Sequence, residues 1–385
     1  NRLTDTTPIS EMQASGILGF EFKSGLLNYA KLNIVSPQVN TSDDVLLTQV
    51  NAEIWLKQKG TEHWGLWLEE GALLLNSKKW QLEDVGLDLS KTVDGTRWHG
   101  FSKHVDLQYW RTFLAELNVL PSDAADFLTE LNPTGSIQNI NLIYQDNENP
   151  EPSITLAGDL IKVSTEASAG IPKLVNISGV VATSQDRGRL QFSSNDMELF
   201  FPSIYQSTFK INKGQGQIDW YLEEDQVKLV GNGLNLNLEG LENVKGGFQL
   251  WLPKEKGVEP ALALNLSFNK ASVEVQKIFV PKVVNKGLRQ WLDTSLKSGV
   301  VENGNFFLYT SLIEGDLQAQ MEMYFNFDRV NLEYLEGWPN VKNSKGKLFV
   351  DNTMVLGGIE SATTLGGELK DAQVVFKQDN KENFY

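Results

Sequence analysis

The sequence predicts a mainly β protein: an elongated, strongly curved antiparallel sheet forming a U-shaped apolar groove, with two short helical insertions. Three observations predict it. Apolar and polar residues alternate at period 2 through most of the chain, and a strand sends successive side chains to opposite faces. Clusters of Gly, Asn, Asp and Pro separate these runs, and 32 glycines suit a chain with many turns. Helical spacing is confined to two regions, so helices can cover little of the oily side of the strands.

In chain order, the first hundred residues hold Trp55, Trp64, Trp67, Trp80 and Trp98, half of the ten tryptophans. Such side chains either fill a β core or stand as aromatic platforms for sugars. Leu107, Trp110, Leu114 and Leu117 then fall at helical spacing. Pro121 stops that helix, and Ser122 caps a second one ending before Pro133. Strand patterning resumes with Ile140, Leu142 and Tyr144, and continues after turn signals at Asn147 to Pro152 and Asp186 to Gly188 with Leu190 and Phe192. Glu223, Glu224 and Asp225 separate two strand-like runs and read as a hairpin tip. "GLNLNLEGL" sets Leu234, Leu236 and Leu238 on one side, and beyond Lys254 to Gly257 "ALALNLSF" does the same with Leu262, Leu264, Leu266 and Phe268. In "PKVVNKGLRQWLDTSLKSG" Leu288, Trp291, Leu292 and Leu296 form a helical face, with Gly299 as its C-terminal cap. "LQAQMEMYFNF" is the clearest comb: Leu317, Ala319, Met321, Met323, Phe325 and Phe327 point one way, and polar residues the other. These signals divide the chain into a β module over 1–131 that ends helically, a second over 132–298 that ends in a helix, and the start of a third over 299–385, within one continuous groove. "IPKLVNISGVV", "LENVKGGFQLW" and "WPNVKNSKGKLFV" echo one another at unequal spacing, as a repeated way of re-entering a sheet.

The bulk properties narrow the function. The chain of 385 residues carries a net charge of −15, which disfavours nucleic acid and other polyanions as partners. No cysteine is present, so disulfides, thiolate catalysis and Cys-ligated zinc are excluded. No run approaches the ~18 apolar residues of a membrane span. The chain begins at Asn1 with no export signal, as expected of a processed product or an internal slice of a longer protein.

Catalytic chemistry has little footing. His63, His99 and His104 form no ligand cluster, and His104 with Asp106 reads as a solvated or capping pair before a helix. There is no Gly-x-Ser-x-Gly elbow and no phosphate loop. "GQGQ" and "GNGL" lack a third glycine and a following helix, and read as turns. The expected protein is not an enzyme and uses no cofactor or metal. Three readings stay open: an apolar groove for lipid, a carbohydrate-binding β protein, and a structural scaffold with a closed core.

At residues 278 to 350 the sequence resembles a known family. A proline before a short helix bearing Trp-Leu and ending at glycine (Pro281, Leu288, Trp291, Leu292, Gly299) is similar to YhdP-type AsmA-like proteins. So is the Tyr-x-x-x-Trp-Pro-x-apolar turn with its following glycine and strand, here Tyr334, Trp338, Pro339, Val341, Gly346, Leu348 and Phe349. "LNPTGSIQNINLIY" and "IPKLVNISGVV" extend the likeness upstream, which covers about 100 to 350 and is looser before that. These motifs are turns and one helix, and none is catalytic. The resemblance implies a protein of the Gram-negative envelope, related to TamB and the bridge-like lipid transfer proteins, anchored in the inner membrane with most of its chain in the periplasm. It further implies a groove along which phospholipid acyl chains pass between inner and outer membranes. On that reading the lipid-facing residues are Leu234, Leu236, Leu238, Leu262, Leu264, Leu266, Phe268, Met321, Met323, Phe325 and Phe327. The partners are phospholipid acyl chains and, through other parts of the parent protein, the two membranes.

Overall fold

The computed structural model describes residues 11–40, 46–75, 78–92, 95–117, 122–147, 153–168, 171–202, 204–255, 257–282, 284, 286–312 and 319–377. The chain forms two compact units, Asn1–Thr165 with Val180–Gln185, and Glu166–Gly179 with Asp186–Tyr385. The turn expected at Asn147 to Pro152, the stop at Pro121 and the residue Leu317 fall wholly or partly outside the described residues.

The first unit holds β1 (Glu11–Lys23), β2 (Leu26–Asn40), β3 (Leu46–Gly60), β4 (His63–Leu75), β5 (Lys78–Thr92), β6 (Gly95–Asp106), β7 (Thr134–Asn147) and β8 (Ser153–Thr165). Each pairs antiparallel with the next. Between β6 and β7 stand α1 (Leu107–Leu117) and α2 (Ser122–Leu131), where helical spacing places them. Asp106 starts α1 by accepting the Tyr109 backbone N–H at 2.8 Å, an N-terminal cap. The apolar side of α1 lands on one end of the sheet, where Phe113 packs against Leu75 and Trp80, with Tyr109 and Trp110 around them.

β9 (Lys173–Ser184) is shared between the units. The second unit continues with β10 (Arg187–Phe200), β11 (Phe209–Leu222), β12 (Gln226–Leu238), β13 (Leu241–Pro253), β14 (Ala261–Phe268), β15 (Lys270–Ser272), β16 (Leu296–Ser311), β17 (Gln320–Leu332), β18 (Val341–Asp351), β19 (Met354–Thr364) and β20 (Gly367–Lys377). Neighbours pair antiparallel throughout, and β14 and β15 both lie between β13 and β16. Glu223 to Asp225 form the tip between β11 and β12. A 3-10 turn (Val273–Val275), α3 (Gln276–Phe279) and α4 (Lys286–Ser295) make the second helical insertion.

Two sequence expectations need correction. α4 stops at Ser295, and Leu296 already belongs to β16, so Gly299 is not a helix cap. Gly299 sits at φ +139° in a strand irregularity, where a Cβ would stand 2.6 Å from the Val330 Cα. "GQGQ" (214–217) and "GNGL" (231–234) are not turns; they lie inside β11 and β12. Their glycines make room for neighbouring side chains: a Cβ on Gly231 would meet the Phe248 ring, and one on Gly216 would meet Leu234 and Phe192.

The internal echo has a structural meaning. Its three copies contain Asn-x-x-Gly, at Asn176 and Gly179, Asn243 and Gly246, Asn343 and Gly346. All three asparagines take positive φ, between 50° and 64°, a region Asn tolerates. At each glycine a Cβ would lie 2.0 to 2.2 Å from the carbonyl oxygen of an adjacent strand. The backbone N–H of Asn243 and of Asn343 each donates to an asparagine side chain on the preceding strand, Asn237 and Asn331, at 2.9 Å. These are β-bulges, which bend a strand and raise its twist. They also explain where period 2 fails. Val244 and Leu241 are three apart yet pair with Leu236 and Leu238, so the bulge at Asn243 returns both to one face. Gly246→Ala is expected to lower stability by roughly 1–3 kcal/mol, the range for overpacking and backbone strain, measured by urea unfolding.

Candidate functional site

Residues paired across strands share a face, so the register assembles the site. Leu234, Leu266 and Met323 fall on one row: Phe192 and Leu234 flank Gly216, and the row continues through Gly246, Leu266, Phe306, Met323, Val350, Val355 and Phe376. A second row runs from Leu190 through Ile218, Gly231, Phe248, Leu264 and Leu308 to Met321. A third links Phe268, Gly304, Phe325, Leu348, Gly357 and Val374. No charged residue stands in any of the three. At about 4.8 Å per strand, the first row crosses ten strands and roughly 43 Å of sheet.

The eleven residues singled out in the sequence therefore lie on one face, in three settings. Leu238 belongs to a packed core with Ile177, Phe192, Phe209, Ile211 and Val244. Leu234, Leu236, Leu266 and Phe268 pack against that core from the side. Leu262, Leu264, Met321, Met323, Phe325 and Phe327 stand outside it, half-buried. One end of the face is thus closed, by the 3-10 turn, α3 and the Phe201–Phe209 stretch, where Phe209 stacks on Phe279 at 4.9 Å. At the opposite strand ends Leu222, Leu252 and Leu312 are exposed, as are Val374 and Phe376 on β20.

Phe306, Leu308, Leu348 and Val350 were missed by alternation alone. Their strands read "FFLY" and "LFV", apolar on both sides, and the reverse face shows Phe307 and Tyr309 exposed. Only register separates the two sets. The first unit has an equivalent row, Phe20, Ala30, Leu56, Leu66, Leu87, Gly100, Leu142 and Leu156, from β1 to β8. Leu66 and Leu142 are each 40% exposed there, so this face too is incompletely covered by its own unit.

The tryptophans divide. Trp80 is core, while Trp64 and Trp98 share the face of the Leu66 row. Trp55 lies on the other face, its indole N–H donating to Glu53 and Glu69, and Trp67 there packs on Phe101 at 5.0 Å above Gly86. His99 contacts Asn141, and among the described residues no group of His, Asp and Glu is arranged to hold a metal ion.

Charges are set on the reverse of the apolar face. On β11, buried Asp219 accepts from the Arg189 Nε at 2.6 Å and from Gln217 at 2.7 Å. Burial pushes its carboxyl up; those two hydrogen bonds and the Arg189 charge outweigh burial and hold it below the ordinary value. A depressed carboxyl contributes stability above its unfolded pKa, lost as pH falls through the folded one. In Arg189→Ala only the Gln217 hydrogen bond still opposes burial, so the folded carboxyl rises and its charge destabilises at neutral pH. The melting-temperature gap to wild type is expected to be wide at pH 7 and to close below about pH 4.

Chemically, the face offers no proton donor, nucleophile or ion site along its rows; it can hold apolar chains without covalent bonds. Among the described residues no helix is long and apolar enough to cross a membrane. No curated protein and no solved structure matches the chain. A family model described as YhdP protein matches residues 5–383, and the chain belongs to that family.

Proposed function

We propose that the apolar face of the second unit is the wall of a groove that carries phospholipid acyl chains between the inner and outer membranes, without catalysis. The chain works in the periplasm as part of an envelope protein that sustains the outer-membrane barrier, and other parts of the parent protein meet the two membranes. The observation that carries this reading is the uncharged row over ten strands, in which Phe306, Met323, Val350 and Val355 are half-buried and, among the described residues, lie outside the packed core. Each methylene removed from water on such a surface is worth about 0.8 kcal/mol, and similar neighbours along the row keep the barriers to sliding low. Met321 and Met323 suit a disordered ligand because thioether chains adapt their shape. Headgroups stay at the open side, outside the uncharged rows. Family membership supports a lipid-transport role in the envelope.

The test is photocrosslinking from positions 264 and 325 in the purified chain, with native mass spectrometry for bound lipid. Crosslinks to phospholipid at both positions are the expected result. Crosslinks to protein alone, with no co-purifying lipid, would favour a closed scaffold instead.

A further inference from the structure

β14 lies inside the sheet, between β13 and β16, and turns Leu262 to Phe268 to the apolar face. Its other side reads Ala261, Ala263, Asn265 and Ser267, all small and uncharged. On that reverse face β13 raises Gln249 and Trp251, and β16 raises Phe307 and Tyr309. The flanking strands stand roughly 10 Å apart, two strand spacings, so small residues between large ones leave a shallow trough along β14. Phe307 and Tyr309 are 41% and 43% exposed. Among the described residues neither ring meets another ring or a cation. Where β14 gives way to β15 at Asn269, a cleft of about 440 Å³ opens, lined by Asn237, Glu242, Lys270, Ser272 and Val300 among others. That is the size of a small-ligand pocket. Lys270 and Ser272 flank the core residue Ala271 and so turn outward, onto the face of the trough.

Charge and hydrogen-bonding capacity say what fits. From β13 to β17 the three rows over this area are Lys245, Ser267, Asn305 and Tyr324; Gly247, Asn265, Phe307 and Glu322; and Gln249, Ala263, Tyr309 and Gln320. They hold one cation and one anion, and the cleft adds one of each, Lys270 and Glu242, 4.0 Å apart. The area is therefore neutral on a chain at −15, and suits an uncharged ligand. Gln249, Asn265 and Asn305 are exposed, and among the described residues their amides have no hydrogen-bond partner. Such amides offer a donor and an acceptor side by side, as a hydroxyl-rich ligand needs, while open aromatic rings take the C–H faces of sugar rings. A peptide cannot join here as an added strand, because β13 and β16 already hold both edges of β14. We propose that the trough along β14 and its terminal cleft bind an uncharged linear oligosaccharide, on the face opposite the apolar rows. From Val300 in the cleft to Tyr309 the track runs roughly 30 Å, long enough for several sugar units in line.

Calorimetric titration of the full chain with three neutral hexasaccharides, cellohexaose, chitohexaose and maltohexaose, tests this. At least one is expected to bind, with an affinity that does not change between low and high salt. Phe307→Ala with Tyr309→Ala, both on the surface, is expected to weaken that binding about tenfold or more. Ala263→Arg fills the floor of the trough and is expected to abolish it, with circular dichroism unchanged in both variants. Absence of binding by all three sugars overturns the proposal. So does binding that fades with salt, or equal binding by wild type and both folded variants. Lipid crosslinking from position 325, on the other face, should be the same in wild type and variants, so the groove reading stands or falls separately.

Discussion

Met323→Asp is expected to abolish lipid occupancy of the second unit while leaving its fold intact. Met323 stands mid-row, between Phe306 on β16 and Val350 on β18, half-buried and outside the packed core. A carboxylate there faces open space and water when no lipid is bound, so folding bears little of its desolvation. With an acyl chain over it, the same charge must lose water with no partner, because no cation occurs along the row. Leaving a charge so stranded costs several kcal/mol, about a hundredfold or more in occupancy. Met323→Leu keeps the surface apolar and is expected to retain lipid. Co-purifying phospholipid per protein is the measurement, and cells whose only full-length copy carries Met323→Asp should lose outer-membrane impermeability to large antibiotics. Normal lipid content in a folded Met323→Asp protein would remove this row from the path.

The three strands that suggested this face were readable because each alternates cleanly. Leu262 to Phe268 and Met321 to Phe327 each set large apolar residues against small or polar ones. α1 and α2 were readable too, since a 3.6-residue pattern between proline stops has few other solutions. The strands that lie between the legible ones were not. In "FFLY" both faces are apolar, and period 2 carries no phase when every position is oily. Glycines misled for a related reason. Gly216 and Gly231 look like turn residues from sequence, yet each is small because side chains of neighbouring strands occupy the place of its own, the Phe248 ring at Gly231 and Leu234 with the Phe192 ring at Gly216. The Asn-x-x-Gly echo was visible but its purpose was not, because a bulge is defined by the partner strand. Gly299 failed as a cap through the same long-range cause, contact with Val330.

Trp80→Ala is expected to be the most damaging single substitution in the first unit. Trp80 is 1% exposed, and it fixes the end of the sheet to α1 through Phe113 at 5.0 Å and Tyr109 at 4.8 Å. The Tyr109 hydroxyl in turn donates to the Gln81 carbonyl at 2.9 Å, so ring packing and a backbone contact act at one place. Loss of a buried tryptophan costs about 3–5 kcal/mol in transfer and cavity terms, which lowers the melting temperature by roughly 6–20 °C for a unit of this size. One feature places the value toward the lower end. Among the described residues the buried Trp80 indole N–H has no hydrogen-bond partner, so alanine also removes an unsatisfied donor. Trp80→Phe separates the two contributions: it keeps most of the packing and deletes the donor. Trp80→Phe is therefore expected within about 1 kcal/mol of wild type, and Trp80→Ala far below both. Equal losses in the two variants would mean that the indole N–H is bonded, through water, and that polar satisfaction rather than packing holds α1 to the sheet.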